Sequence, residues 1–464
     1  MTKLFYTITI HMRYFARAVY TFAGVITNKK TVAGDNTCNG GTINIHMKYF
    51  ARAVMLLLLP FTIHAQKTIT IEQCYTHGKQ NYPLVKQHAL IEKSGEYSVS
   101  NAAKGYLPQV TFSGQASYQS DVTEIPISLP GLNIPTPSKD QYKIYGEADQ
   151  TIFDGGTVKY KKQSQQASSA VQQQNLEISL YAVKDRINQL YFGILLIDEQ
   201  LKQNTLQQAD IQNGIDKTQS LITNGTAFRS SVDELKASML KNDQSRIELQ
   251  SNRKAYLDML ALFINQPLDE NTVLEKPQPK LLGDSIYRPE LALYDYQRNI
   301  SSVQDKMLQA NTMPKLQAFA QGGYGKPGLN LLKTGFSFYY IAGLKLNWSL
   351  GNLYTYKNDK RIADINRSDI DIQKETFLFN THVTLKQQSA EATKYAALVN
   401  KDNDIIALRV SVKTAAAAQL ANGVITSHDY ITQVDAEGQA RQSLILHQVQ
   451  LLQAQYNYQT TSGN

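Results

Sequence analysis

One layout of prolines, glycines and patterned segments occurs twice along this chain. Pro83, within Asn81-Tyr82-Pro83-Leu84, precedes Pro108 of Leu107-Pro108-Gln109-Val110 by the same interval that separates Pro289 of Arg288-Pro289-Glu290-Leu291 from Pro314 of Met313-Pro314-Lys315-Leu316. Each pair leads into a region of alternating polarity, then a glycine (Gly155, Gly351), then a long proline-free stretch closed by Asn224-Gly225 or Asn422-Gly423. Self-similarity over so long a period marks two copies of one large supersecondary unit. We place the first repeat at 66–275 and the second at 276–464.

The proline-free stretches read as very long helices. In the first repeat Leu176, Leu180, Val183, Ile187, Leu190, Ile194, Ile197 and Leu201 follow one another in steps of four and three. That spacing keeps one apolar seam along a helix and implies left-handed coiled packing. A helix over 157–222, and another over 353–421 where neither Gly nor Pro occurs, would each extend on the order of 100 Å at 1.5 Å per residue. The shorter helical segments 72–105 (interrupted near Pro83) and 231–265 match the first long helix when laid end to end, and 285–313 with 427–461 match the second. Asn-Gly closes each long helix. Ser231 with Glu234, and Thr426 with Asp429, are expected to form capping boxes that open the returning helices. On that reading the first tip carries three more residues than the second between its glycine and its capping box. Residues 266–284, with Pro267, Pro277 and Pro279, form an irregular belt between the repeats.

Between Pro108 and Ser120 the period changes to two, with Val110, Phe112, Gly114, Ala116 and Tyr118 on one face. Strands are expected at about 108–120, 141–153, 315–324 and 336–348. The first two are joined by a loop containing Pro126, Pro130, Pro135 and Pro137. Runs of about ten alternating residues rich in aromatics suit barrel strands facing lipid on one side and water on the other. The same pattern also fits a soluble sandwich or an amphipathic hairpin lying on helices.

The N-terminus weighs on that choice. Lys48 and Arg52, the apolar run Ala53 to Leu59, and Ile63-His64-Ala65 before Gln66 make 47–65 a secretory signal peptide cleaved before Gln66. Its apolar core is too short to span a bilayer as a helix. Ile10 to Val19 recurs almost unchanged as Ile45 to Val54, so residues 1–46 are either a second targeting element or an upstream leader preceding initiation at Met47. The second reading is favoured. Cys74 is the one cysteine beyond the signal, which excludes a disulfide scaffold. Charged residues are sparse at 19%, and the net charge of +8 is dispersed without a Lys/Arg block, so nucleic-acid binding is not expected.

Together these features resemble the TolC family of outer-membrane efflux and secretion channels. The carriers are Ile69-Thr70-Ile71-Glu72 with Asn81, Pro83 and Val85, then Tyr106-Leu107-Pro108, Phe153-Asp154-Gly155-Gly156, and Gly423 with Thr426 and Asp429. The second repeat departs from the first in having Ser349-Leu350-Gly351-Asn352 at the strand-to-helix turn. The resemblance implies a mostly α fold with a membrane β-barrel. Three protomers would share a twelve-stranded barrel and a periplasmic α-helical tunnel, placing the protein in the outer membrane, in contact with its lipid. Expected partners are two further copies in a homotrimer, a periplasmic adaptor (membrane-fusion) protein and an inner-membrane pump. The implied function is the exit duct of a tripartite efflux pump. Type I protein secretion is the alternative within the class, and a trimeric coiled-coil surface fibre or adhesin without a channel is the alternative outside it.

No residue pattern points to an enzyme. His77, His88, His382, His428 and His447 are scattered, without a pair at metal-ligand spacing beside a carboxylate. No phosphate-binding glycine loop or nucleophile motif occurs, so no catalytic residue, cofactor or metal is expected. Met239, Met259, Met307 and Met313 form no His/Met cluster, which argues against a dedicated metal route. By resemblance Asp429 lies on the pore side of the second tip, where a threefold ring of carboxylates would narrow the entrance and favour cations. Thr432 occupies the second acidic position of some relatives. As a plain helix-cap residue, Asp429 would need no such role. Asn224, Gly225, Thr226, Ala227 and Phe228, with Asn422, Gly423, Val424 and Ile425, are the candidates for docking an adaptor, because exposed apolar groups at a helix turn call for a partner.

Overall fold

The computed structural model describes residues 68–124, 131, 136–331 and 333–464. The expected leader 1–46, the signal 47–65 and the loop prolines Pro126, Pro130 and Pro135 lie outside the described residues.

A two-residue strand β1 (Thr68–Ile69) leads into helix α1 (Ile71–Asn81), opened by a capping box in which Gln73 N donates to Thr70 Oγ1 (3.2 Å) and Thr70 N donates to Gln73 Oε1 (3.1 Å). Pro83 ends it. Tyr82 takes the extended conformation demanded of a residue before proline, and a 3₁₀ turn (Pro83–Lys86) connects to α2 (Gln87–Ala103). Strands β2 (Gln109–Tyr118) and β3 (Asp140–Phe153) follow, then α3 (Thr157–Tyr181), α4 (Val183–Thr223) and α5 (Arg229–Ile264). After β4 (Val273–Leu274), the second repeat runs α6 (Pro289–Asn311), β5 (Lys315–Lys326), β6 (Ser337–Asn347), α7 (Asn352–Ala421) and α8 (Ser427–Ser462). Helices α2 and α5 flank opposite ends of α3–α4, and α6 and α8 flank opposite ends of α7.

Helix α7 is unbroken over 70 residues, roughly 105 Å at 1.5 Å per residue. Its counterpart is not continuous. The expected helix 157–222 is divided at Ala182 into α3 and α4. The division lies where Tyr181 donates to Thr460 O (2.8 Å) and the buried Asn188 amide reaches Thr460 Oγ1 (3.1 Å) and Asn457 Oδ1 (3.3 Å). Polar ties to α8 on both sides of Ala182 set the local course there, which a seam of apolar residues does not register.

The belt between the repeats is more ordered than its prolines suggest. β1 pairs in parallel with β4, and the Tyr191 hydroxyl lies 2.9 Å from Ile69 O and 2.6 Å from Glu275 O, bracing that pair. Around it sits the main core: Ile71, Cys74, Ile187, Phe192, Leu257, Leu260, Ile264 and Tyr456 among others. Burial pushes the Cys74 thiol up to about 12, with Glu72 adding to it, so this cysteine is a packing residue.

The four longer strands form one antiparallel sheet in the order β2-β3-β5-β6. Its register aligns the faces across all four strands. One row reads Phe112, Gly146, Gly322, Tyr340, and the next Gly114, Ile144, Tyr324, Phe338. On the opposite face Thr111, Glu147 and Gln321 share a row, as do Gln115 and Lys143. Phe112 and Phe338 are 84% and 86% exposed, so the apolar face has no cover among the described residues. Among the described residues β2 and β6 are edge strands, each paired on one side only.

The strand-to-helix turns of the two repeats use different chemistry. In the first, Asp154 Oδ1 accepts from Gly156 N (2.8 Å) and Oδ2 from Val158 N (2.6 Å), while Gly155 (φ 70°) and Gly156 (φ 94°) adopt left-handed conformations. A Cβ on Gly155 would lie 2.8 Å from Ala310 O and 2.6 Å from Met313 Cβ. Gly351 is helical (φ −58°) with open space around it. There Asn352 Nδ2 donates to Asn311 O (2.8 Å) and Trp348 Nε1 to Thr312 O (3.0 Å). Gly155→Ala is therefore expected to destabilise the fold by at least about 1 kcal/mol from backbone strain alone. Gly351→Ala should be neutral or stabilising by about 0.5 kcal/mol. Thermal melting followed by circular dichroism in detergent separates the two, and equal effects would contradict the assignment.

Candidate functional site

The two helical hairpins, α4–α5 and α7–α8, end in turns built alike. Gly225 N donates to Ile222 O (2.9 Å) and Thr226 N to Leu221 O (2.9 Å); Gly423 N donates to Leu420 O (3.0 Å) and Val424 N to Gln419 O (2.8 Å). This double bond around a left-handed glycine is a Schellman closure, with φ 75° at Gly225 and 70° at Gly423. In each tip the residue three past the glycine is extended and starts the next helix: Phe228 before α5, Thr426 before α8.

The second tip has the expected capping box. Asp429 N donates to Thr426 Oγ1 (3.2 Å), and Asp429 Oδ2 accepts from Thr426 N (3.0 Å) and from the Thr426 hydroxyl (2.7 Å). The Thr426 side chain and then its backbone amide hold the exposed Asp429 carboxyl below its ordinary range. The first tip has no such box. Helix α5 begins at Arg229 with Phe228 at the cap position and no side-chain cap bond, so Ser231 lies inside the helix. The physical reason is the Schellman turn, whose fixed length starts the return helix at the same point in both repeats whatever residue stands there. The three extra residues inferred for the first tip disappear, and Phe228 matches Thr426, Ser231 matches Asp429, and Glu234 matches Thr432.

Freed from capping, Glu234 reaches across to the other hairpin. Its Oε1 lies 2.7 Å from His428 Nδ1, and Ser427 Oγ donates to its Oε2 at 3.4 Å. Higher up, Lys413 of α7 places Nζ 2.7 Å from Asp210 of α4 and 2.5 Å from Glu437 of α8, and Arg441 lies 2.6 Å from Glu437. The Glu437 side chain is only 4% exposed. Burial would raise its pKa, yet the Lys413 and Arg441 contacts outweigh burial and hold it low. Lys413 is likewise kept charged: burial opposes its charge, and the hydrogen bonds to Asp210 and Glu437 prevail. Tyr430 donates to Asp210 O (3.0 Å) and packs with Ile211, Leu235, Leu420, Ile431 and Val434 in a second core. None of these cross-hairpin pairings is legible in the sequence, because each depends on which helices become neighbours. The one available signal is that Lys413 stands alone as a charge between Val412 and the Ala415–Ala418 run.

The remaining candidates divide by exposure. Asn224, Gly225, Thr226, Asn422 and Gly423 are exposed, and Phe228 (81%) and Val424 (70%) present bare apolar side chains at the extreme ends. Ala227 is half-buried, and Ile425 packs against the second core. Thr432 is exposed and spends its hydroxyl on His428 O (2.8 Å). Among the described residues no three His, Cys, Asp or Glu side chains are grouped to hold a metal ion.

The asymmetry of the caps has a measurable consequence. Thr426→Ala should cost about 1 kcal/mol and speed amide exchange in the first turn of α8, whereas Ser231→Ala should leave α5 unchanged. Hydrogen exchange read by mass spectrometry distinguishes them, and equal protection losses at both helix starts would refute the cap assignment.

Residues 76–266 match the family model described as outer membrane efflux protein. A search of curated protein sequences gives no match. Among solved structures, the outer membrane protein VceC from Vibrio cholerae is similar with a TM-score of 0.61 at 13% identity, covering 85% of this chain and 96% of that one. The Neisseria gonorrhoeae MtrE outer membrane channel gives 0.59 at 12% identity, with 85% and 89% covered. The Campylobacter jejuni CmeC outer membrane channel gives 0.58 at 12%, with 85% of each chain covered. These proteins share the chain's fold of long paired helices with a four-stranded sheet, and its residues 76–266 are similar to the outer membrane efflux protein family.

Proposed function

We propose that three copies of this chain form a passive duct through the outer membrane. It receives small molecules from a periplasmic adaptor and an inner-membrane pump and releases them outside. The observation that carries this reading is the sheet. Its apolar face is bare, its other face bears Thr111, Glu147, Gln321, Gln115 and Lys143, and both edges are open. A bilayer accepts strands only when every backbone group is paired, so four strands must join others to close. β6, of 11 residues, is about 36 Å long and, tilted near 45°, spans about 25 Å, the height of the apolar band on such barrels.

The helices support the same assembly. Ile365, Ile372 and Phe379 recur every seven residues on α7 and are 65%, 59% and 67% exposed, a heptad seam lacking a partner among the described residues. Two neighbouring copies would cover such seams and close the sheet together. Phe228 and Val424 would meet the adaptor, and Asp429 would face the narrowed entrance. Type I protein secretion uses the same duct geometry. A surface fibre gives no reason for a polar inner sheet face.

Planar-bilayer recording tests the reading. The wild-type protein should conduct with cation preference, and Asp429→Ala should raise resting conductance severalfold and weaken that preference. Because the Asp429 carboxyl is held low, its charge is present above the usual carboxylate range and is lost only as pH falls through the lowered value. Cation preference should therefore persist into mild acid. Absence of conductance from correctly assembled protein would favour the fibre. Unchanged conductance and selectivity in Asp429→Ala would leave Asp429 as a cap alone.

A further inference from the structure

The tie between the two tips is made at two levels of different chemistry. The upper level, Lys413 with Asp210, Glu437 and Arg441, is held ionised: the Glu437 carboxyl is lowered and the Lys413 ammonium raised. Neither group changes charge near neutral pH. The lower level lies nine residues nearer the tip along α8, about 13 Å at 1.5 Å per residue, and it contains an imidazole. His428 Nδ1 is 2.7 Å from Glu234 Oε1, and Ser427 Oγ is 3.4 Å from Glu234 Oε2. These contacts join the first turn of α8, in the second repeat, to α5 in the first.

We propose that the His428–Glu234 contact is a proton-operated latch between the two hairpins, closed while the imidazole is charged and released when it is neutral. This rests on the reading of the tips as the entrance of a duct. His428 stands in the first turn of α8, where the helix dipole disfavours a cation, so its charge depends on nearby carboxylates. On α5 the group facing it is Glu234, and on its own helix it is Asp429. From α4 and α7, the Asp210 carboxylate and Lys413 pair with each other, Lys413 also with Glu437, and Lys217 Nζ donates to Ala417 O (3.4 Å), so none of them engages His428. The Glu234 hydrogen bond, then its charge, then Asp429 raise the imidazole above its ordinary 6.5. The sign follows from linkage: a raised pKa makes the contact fully present below about 6.5 and lost as pH rises through the raised value. Deprotonation also leaves Glu234 and Asp429 as like charges without their cation. One exposed pair is weak, but a threefold assembly would set three copies around one opening while the upper level holds the hairpins together.

Three readouts test this. Imidazole NMR of the intact protein should show His428 titrating above about 6.5, and Glu234→Gln should return it toward that value. Spin labels at Thr226→Cys and Val424→Cys should report tips that separate between about pH 5.5 and about pH 8.5. Resting conductance should rise severalfold over the same range. His428→Lys should keep both low throughout, and His428→Gln should keep both high. A His428 titration indifferent to Glu234→Gln, or a tip distance independent of pH, overturns the latch. A pH-dependent tip distance in a protein that never conducts supports the latch and overturns only the duct reading.

Discussion

Hydrogen bonding at the edges of the four-stranded sheet is the constraint on which the rest of the molecule turns. Inside hydrocarbon an unpaired amide or carbonyl costs several kcal/mol, and among the described residues β2 and β6 each leave one whole side unpaired. The same sheet carries Phe112, Phe338, Tyr340 and Leu344 on a face left uncovered by the described residues, and Glu147, Gln321 and Lys143 on the other. A soluble sandwich would hide the first set and expose the second. Closing the edges with other copies inverts that arrangement and satisfies both.

The helices follow from where the strands sit. A helix entering from the sheet and returning over two shorter partners forms a long, thin rod, which can bury side chains only along narrow seams. Its cores are therefore local. One gathers around Tyr191 and the β1–β4 pair, the other around Tyr430 near the tips. Between them polar groups mark the contacts, as with Asn204 and Asn242, whose side chains bond each other at 2.8 Å. Such a rod is held at its belt and near its ends. The ionic groups Lys413 and Glu437, and the contact of His428 with Glu234, lie beside the second of these cores and tie the two hairpins together there.

Much of this was legible in the sequence because it depends on local chemistry. The absence of Gly and Pro between Leu353 and Ala421 marks α7, the two-residue period marks the strands, and Thr426 with Asp429 marks the start of α8. Ser231 with Glu234 shows the limit of local reading. The motif is present, but the Schellman closure at Gly225 places the cap three residues sooner, at Phe228, and releases Glu234 for another partner. The break at Ala182 and the pairing of Thr68–Ile69 with Val273–Leu274 were not legible, since both arise from contacts between distant segments. For the same reason Lys413 and His428 emerged only once α4, α5, α7 and α8 stood side by side.

The assembly is the central claim, and the mass of the protein in detergent tests it most directly. Light scattering with the detergent contribution subtracted should give three protomers per particle. A stable, monodisperse monomer with its sheet intact would contradict the account, because both open edges would then have to be satisfied without a second copy.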